Sequence, residues 1–322
     1  MEGPHHSIAV FLPNYNYEAY LADRIESILH QSRLPDSFLI IDDGSQDRSR
    51  SIIRQYETHD LVRTQYRMIN SGSPYAMRNE VVRNETADFI LFAEADDSAE
   101  PQLLERLYDV MKQDEEIAIA YAQSHSIDSQ GKVIGTWADW LRDLGTDKWD
   151  SDFIATGREM APYLAFKNII PNSSAALLRR DAFLECGGYD LRNRLSADWL
   201  LYAQMIRSRK IAYIAEPLNR FRTHGGTVRS ASVRNGTAVL EYMRILRYLF
   251  GAYTFTPEQT EQIKRFAIGK WMGLISRYPT GASATVHFEI YRHAKVLFDD
   301  LFSDIIRRLP RSLLRAINQT SF

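Results

Sequence analysis

Three carboxylates stand together in Glu94-Ala95-Asp96-Asp97, directly after the apolar run Phe89-Ile90-Leu91-Phe92-Ala93. Carboxylates where a buried strand leaves the core are costly unless something positive binds them. A hard divalent cation, Mg²⁺ or Mn²⁺, held by oxygen ligands together with substrate phosphates, answers that need. A second acidic strand end lies upstream, where Phe38-Leu39-Ile40-Ile41 runs into Asp42-Asp43-Gly44-Ser45. That stretch reads equally well as a turn and helix N-cap. Pro13-Asn14-Tyr15-Asn16 closes a further apolar run. A tyrosine there could stack on a nucleobase while the asparagines bond its edge or the ribose; the alternative is an ordinary turn. The two acidic ends together imply one polar cleft at the edge of an α/β sheet.

The elements that must position these residues alternate along the chain. Strands are predicted at residues 8–12, 38–41, 89–93 and 117–122, a weak one at 66–69, and two more at 173–178 and 211–214. Between them the apolar spacing predicts helices at 17–31, 46–56 and 75–82. Another opens at Pro101, with Leu103, Leu104, Leu107 and Val110 on one face, and two more cover 180–185 and 198–206. Such β-α-β-α order makes a largely parallel sheet with covered faces. Residues 137–166 are rich in Trp, Asp and Gly, have no clean period, and are read as irregular and part of a substrate wall. From about Thr237 the chain turns helical, with Tyr242, Ile245, Leu246 and Leu249 on one face.

Bulk properties narrow the function. The 322 residues suffice for a large core. With 39 basic and 41 acidic residues, charge-driven nucleic-acid binding is not expected. Cys186 is the single cysteine, which excludes an intrachain disulfide framework and a multi-cysteine zinc site and suits a reducing, cytoplasmic setting. No run of about 18 apolar residues occurs, and residues 1–7 lack the apolar core of a signal peptide.

The order and spacing of the motifs resemble those of family 2 glycosyltransferases with the GT-A fold. Pro13-Asn14-Tyr15-Asn16 and Asp42-Asp43-Gly44-Ser45 are followed by Ala76-Met77-Arg78-Asn79, by Glu94-Ala95-Asp96-Asp97 with Pro101 after it, and by Gly187-Gly188-Tyr189-Asp190. Asp198 at a helix start and Arg222-Thr223-His224 complete the series, so the resemblance spans roughly residues 7–230. It implies an α/β, Rossmann-like GT-A fold with a mixed, mainly parallel sheet flanked by helices. It also implies a nucleotide-sugar-binding and catalytic domain over residues 1–230 and a helical C-terminal extension over 231–322.

Residue roles follow from the same resemblance. Asp43 accepts from a base N–H, most often of uracil, and Pro13 and Tyr15 pack on that base. Asn16, Arg78, Glu94 and Ala95 belong to the donor-binding set, with Arg78 toward the nucleotide or its phosphates. Asp96 is the central ligand of Mn²⁺ or Mg²⁺, and His224 completes its shell. Asp198 is the base for the acceptor hydroxyl, in an inverting displacement from a nucleotide sugar, UDP-sugar favoured. The acceptor class is a growing surface polysaccharide or lipid-linked glycan. Two departures stand out: Glu94 replaces the usual Asp, so the arm reaches the metal or the ribose, and Ala197 stands where Glu commonly precedes the base.

Gln262-Ile263-Lys264-Arg265-Phe266 echoes the Gln-x-x-Arg-Trp of processive synthases and is read as coincidence. The basic, amphipathic run from Arg307 to Arg315 suits either a solvated helix end or peripheral contact with the inner face of an anionic membrane. Two other function classes remain open to the sequence. A nucleotidyltransferase would need a Gly-rich triphosphate loop that residues 13–17 do not supply. A non-catalytic glycan-binding module would have little use for Asp43, Asp96 and Asp198.

Overall fold

The computed structural model describes residues 5–170, 172–223 and 233–298. The chain divides into two compact units, Met1–Met160 with Asn168–Gly225, and Ala161–Lys167 with Gly226–Phe322.

The first unit is built on one mixed sheet. Its strands are β1 (Ile8–Asn14), β2 (Ser37–Asp43), β3 (Val62–Arg67), β4 (Phe89–Phe92), β5 (Ser98–Ala99), β6 (Ile117–Ile127), β7 (Val133–Thr136), β8 (Phe153–Thr156), β9 (Ala176–Arg179) and β10 (Lys210–Arg222). Its helices are α1 (Leu21–Leu29), α2 (Ser49–Ile53), α3 (Pro74–Asn84), α4 (Leu103–Met111), α5 (Ala138–Leu141), the start of α6 (Gly157–Leu164), whose residues from Ala161 belong to the second unit, α7 (Arg180–Glu185) and α8 (Ala197–Met205). The sheet runs β3-β2-β1-β4-β9-β6-β10-β5, with β7 beside β6 and β8 beside β10. Pairs β3-β2, β2-β1, β1-β4 and β6-β10 are parallel. β9 runs antiparallel to both β4 and β6, so it joins two parallel blocks.

The central strands read as continuous apolar runs because both their faces are covered. On one face Ile8, Val10, Leu12, Phe89 and Leu91 share a core with Leu21, Ile25 and Ile28 of α1 and Leu103, Leu104 and Leu107 of α4. The three α1 positions recur at helical spacing, which is why that helix docks there. On the other face Phe11 lies 5.9 Å from Phe92, which in turn meets Phe183 of α7 at 6.4 Å and Tyr189 at 5.9 Å. Parallel register (Asn14 opposite Asp42, Phe11 opposite Phe92) brings the carboxyl ends of β1, β2 and β4 to one sheet edge. Ligands of open α/β sheets bind outside such ends.

Three elements differ from the sequence expectation. Residues 137–166 are not irregular: they hold α5, β8 and α6, and Trp149, Ala155 and Met160 are buried. β8 has four residues and takes its hydrogen bonds from distant β10, so no local period announces it. The weak strand expected at 66–69 lies earlier, as β3, and Met68 and Ile69 beyond it are exposed. β10 continues past residue 214 to Arg222 through register shifts around Pro217.

The second unit is helical among its described residues: α9 (Thr237–Ala252), α10 (Pro257–Arg277) and α11 (Ala284–Leu297). Tyr242, Ile245, Leu246 and Leu249 of α9 are buried, as are Ile263, Ala267 and Ile268 of α10 and Ile290 of α11. A capping box fixes the start of α10: Gln259 N donates to Thr256 Oγ1 (3.1 Å) and Thr256 N to Gln259 Oε1 (3.0 Å). Phe266, from the synthase-like motif, is a packing residue, 5.3 Å from Phe166 and 6.1 Å from Tyr242. Among the described residues no helix is long and apolar enough to cross a membrane. The basic run Arg307 to Arg315 lies outside the described residues.

Candidate active site

At the β1 and β2 ends the asparagines and Asp42 are occupied in building the turn. Asn14 Nδ2 donates to Asp42 Oδ1 (3.2 Å) and to Ser45 Oγ (3.1 Å), and Asn16 Oδ1 accepts from Gln46 N (2.8 Å). Asp42, fully buried, also accepts from Arg50 Nε at 2.7 Å. Gly44 has φ +82°, and a Cβ there would come within 2.7 Å of Asn70 N, so the loop after β2 requires glycine. Asp43 differs from its neighbour. Its Oδ2 accepts from Ser71 N (2.9 Å) and Ser71 Oγ (2.7 Å), but its buried Oδ1 has no hydrogen bond among the described residues. Arg67 Nε stands 4.0 Å away. A buried acceptor with no donor of its own can take one from a bound ligand. Tyr15 is exposed and Pro13 half-buried on the same turn.

The acidic loop after β4 divides its carboxylates. Glu94 Oε1 accepts from Arg78 Nη2 at 2.5 Å, and Arg78 Nη1 donates to Ser173 Oγ at 3.1 Å. Arg78 is 4% exposed and packs over the Phe92 ring at 5.0 Å, so it reaches the cleft through Glu94. Ala95 is buried and Asp96 half-buried, with the Asp96 main-chain oxygen accepting from Arg222 Nε at 2.6 Å. Asp97 is buried and accepts from Arg222 N (3.0 Å) and from Asn172 Nδ2. Burial and the charge of Asp96 push its carboxyl up, against the Arg222 N–H and the Arg24 guanidinium. Arg24 of α1 is fully buried, and none of its guanidinium nitrogens has a hydrogen bond among the described residues. Burial pulls its pKa down, and the charges of Asp97, Glu94, Asp96 and Asp23 oppose that shift. It is a fixed positive charge beneath the loop.

Asp198 lies in the first turn of α8, where the helix dipole favours a carboxylate. Burial nevertheless raises its pKa to about 6; the Trp199 N–H and Arg78 oppose the shift, and Glu94 adds to it. Asn168 Nδ2 donates to Asp198 Oδ2 at 3.1 Å. The floor of this corner joins two of the motifs: Asn79 Oδ1 accepts from Tyr189 N (2.8 Å) and Asn79 Nδ2 donates to Tyr189 O (2.9 Å). The structure therefore brings Arg78, Glu94 and Asp198 together, with Asp96 on the same loop as Glu94. His224 lies outside the described residues.

Among the described residues no three His, Cys, Asp or Glu side chains converge as a metal cage. Magnesium-type cations commonly take one or two carboxylates and complete their shell from substrate phosphates. A half-buried Asp96 beside Glu94 has the oxygen chemistry for that shared binding.

The model of the glycosyl transferase family 2 matches residues 9–186. The chain belongs to that family. Relatives of this family 2 glycosyltransferase include the poly(ribitol-phosphate) beta-glucosyltransferase of Bacillus spizizenii, 32% identical over 111 residues, which are 34% of this chain and 18% of that protein. The chain thus spans under a fifth of that relative's length. Solved structures of similar fold include Staphylococcus aureus TarS 1-349 in complex with UDP-GlcNAc, with TM-score 0.63, 13% identity and 92% of each chain covered. Mannosyltransferase PcManGT from Pyrobaculum calidifontis, in complex with GDP-Man and Mn²⁺, has TM-score 0.57, 13% identity, and covers 94% of this chain and 84% of its own. The shared architecture is the GT-A fold.

Sequence reasoning about this glycosyltransferase missed Arg24, Asn168, Asn172 and Ser71. Arg24 carried a signal, being a cation on the apolar stripe of α1 between Leu21 and Ile25. Asn168 and Asn172 interrupt an otherwise apolar stretch around Ile169 and Ile170. Ser71 has none, because only the fold brings it to Asp43.

Proposed function

We propose that this chain is an inverting, metal-dependent glycosyltransferase. It moves a sugar from a nucleotide diphosphate sugar, UDP-sugar favoured, to a hydroxyl of a surface polysaccharide or lipid-linked glycan. The observation that carries the reading is the 2.5 Å Arg78–Glu94 ion pair at the end of β4, whose charges reach the buried Asp198 carboxyl at the start of α8. A base within the field of the diphosphate-binding loop is what direct displacement needs.

In this reading the open Oδ1 of Asp43 accepts the base N–H, and Tyr15 and Pro13 cover the ring. Asp96, with Glu94 or His224, holds the divalent cation, which when bound neutralises charge on the leaving diphosphate. The acceptor oxygen bonds to the anomeric carbon as the bond to the diphosphate oxygen breaks, and the hydroxyl proton passes to Asp198. Attack opposite the leaving group inverts the centre. The beta linkage in the name of the Bacillus relative is the product that inversion of an α-linked donor would give. The UDP-GlcNAc and GDP-Man/Mn²⁺ complexes of the structural neighbours support a nucleotide-sugar donor and a metal. Residues 1–230 form the catalytic domain, and residues 231–322 are an extension to it.

The test is incubation with UDP-glucose, UDP-GlcNAc and GDP-mannose, each with Mn²⁺ or with EDTA. Nucleoside diphosphate release that EDTA abolishes is the expected result. Pyrophosphate released from nucleoside triphosphate and sugar phosphate would instead mark a nucleotidyltransferase. Flotation with anionic liposomes, before and after removal of residues 307–322, tests contact with a membrane.

A further inference from the structure

Asn168 follows α6, and its carboxamide and main-chain oxygen are all engaged. Its Nδ2 donates to Asp198 Oδ2 at 3.1 Å, its Oδ1 accepts from Ile170 N at 3.2 Å, and its main-chain oxygen accepts from Trp140 Nε1 at 3.0 Å. The Ile170 N–H can meet only an acceptor, so it fixes the amide orientation and leaves the NH₂ end toward Asp198. Trp140 in turn lies 5.5 Å from Trp137, which meets Phe221 edge-on at 5.1 Å. The Asn168 main chain is thus tied to a cluster of aromatic rings, and the residue itself is half-buried.

The Trp199 N–H also donates to the Asp198 carboxyl, but it does so from within α8, whereas Asn168 reaches the carboxyl from another part of the chain. Arg78 and Tyr75 face it from α3, Glu94 from the acidic loop, Tyr189 from the turn after α7 and Tyr202 from α8 itself. Arg78 is the cation among them, and its guanidinium is committed to Glu94 and Ser173. Asn168 lies 30 residues away in sequence, so its contact with Asp198 exists only in the folded site.

We propose that Asn168 is a positioning residue for the transfer reaction, holding the Asp198 carboxylate in the orientation that receives the acceptor proton. It acts through Asp198 and so rests on the role proposed above for that residue. A carboxylate oxygen has two acceptor sites, so a donor on Oδ2 fixes rotation of the carboxyl without consuming the base. The same donor favours the ionised form against burial, keeping the base charged at neutral pH. Trp140 supports the arrangement by anchoring the Asn168 main chain.

The experiment pairs two readouts on Asn168→Ala and the isosteric Asn168→Asp. The first, carboxyl-detected NMR titration of Asp198 in the free protein, needs no substrate. Asn168→Ala is expected to raise the Asp198 midpoint by about one pH unit. Asn168→Asp raises it further, since the donor becomes a like charge. The second is nucleoside diphosphate release from UDP-glucose or UDP-GlcNAc, where kcat falls about tenfold while the donor KM stays within about twofold. Asn168→Gln, which keeps a donor, recovers part of both. A residue that merely supports the fold would lower the melting temperature and leave the Asp198 midpoint in place. An unmoved midpoint in both the Ala and Asp variants overturns the inference. If Asp198→Asn itself leaves turnover intact, the base assignment fails instead, which separates the two outcomes.

Discussion

Arg78 and Glu94 form a 2.5 Å ion pair in which the cation is buried and the carboxylate looks out into the cleft. The pair fixes the first arm of the acidic loop from below, while Ser173 holds the other side of the guanidinium. Glu94 is thus pre-positioned by a residue 16 places earlier, on a different element.

Removing the buried cation should cost stability as well as function. Arg78→Met leaves Glu94 without its partner, and breaking such pairs costs about 3–5 kcal/mol when both members are buried. Because Glu94 is partly solvated, the expected loss is nearer about 2 kcal/mol by urea unfolding. Arg78→Lys should recover less than half, since a single ammonium cannot bridge Glu94 and Ser173 as the planar fork does. Full recovery by lysine would show that charge alone is needed.

Asp43 should be the most sensitive contact for the nucleobase. In Asp43→Asn the remaining oxygen must turn to Ser71 N, which presents the NH₂ to the base N–H. UDP affinity by calorimetry should fall about 10- to 100-fold, the worth of one hydrogen bond to a charged group. Ser71→Ala should weaken binding less, because it loosens Asp43 without removing the acceptor. Unchanged UDP affinity in Asp43→Asn would remove Asp43 from base recognition.

These relationships were unequally legible in the sequence. β1, β2 and β4 are covered on both faces, so their apolar runs stand out, and the acidic ends follow directly. β3 is an edge strand with one buried residue in six and little period to read. β10 hides its second half behind Glu216-Pro217, where the ladder shifts register and tolerates the proline. At the site, Asp43 and Asp42 look alike in sequence, yet Arg50 and Asn14 occupy one and leave an oxygen of the other open. Such distinctions depend on partners far along the chain and appear only once the sheet is assembled.

Asp198 predicts a pH profile with two opposite limbs. Its carboxyl is raised to about 6, so the ionised base is lost as pH falls through that value. kcat/KM should rise with pH up to about 6 and level off above it, and Asp198→Asn should lower it by roughly 10²–10⁴-fold while keeping UDP binding. Stability runs the other way. Between the unfolded carboxyl value near 4 and about 6, the folded state holds more protons than the unfolded one, so this group makes stability fall as pH rises. Asp198→Asn should therefore melt higher than the parent at pH 7.5, with the gap closing below about pH 4. A lower melting point at pH 7.5 would argue that the carboxylate is a structural partner rather than a strained base.

The Gly188–Asn79 contact should be a coupling point for the whole corner. Gly188 has φ +79°, and a Cβ there would run into Asn79 Oδ1 and lie 3.0 Å from Phe183 Cε1. Asn79 cannot yield, because its carboxamide pairs with both Tyr189 N and Tyr189 O. Gly188→Ala thus combines backbone strain with a clash, for about 2–4 kcal/mol. Asn79→Ala leaves both buried Tyr189 groups unpaired, for about 2–3 kcal/mol. The double variant should cost less than the sum, since the alanine at 79 removes the atom that the new Cβ strikes. Tyr189 packs on Phe92 and on Tyr75 at 4.9 Å, around the Arg78 guanidinium. The donor KM should therefore rise in each single variant. Strict additivity in urea unfolding would mean that the two motifs are held independently, and that Asn79 does not transmit the Gly-Gly turn to the Arg78–Glu94 pair.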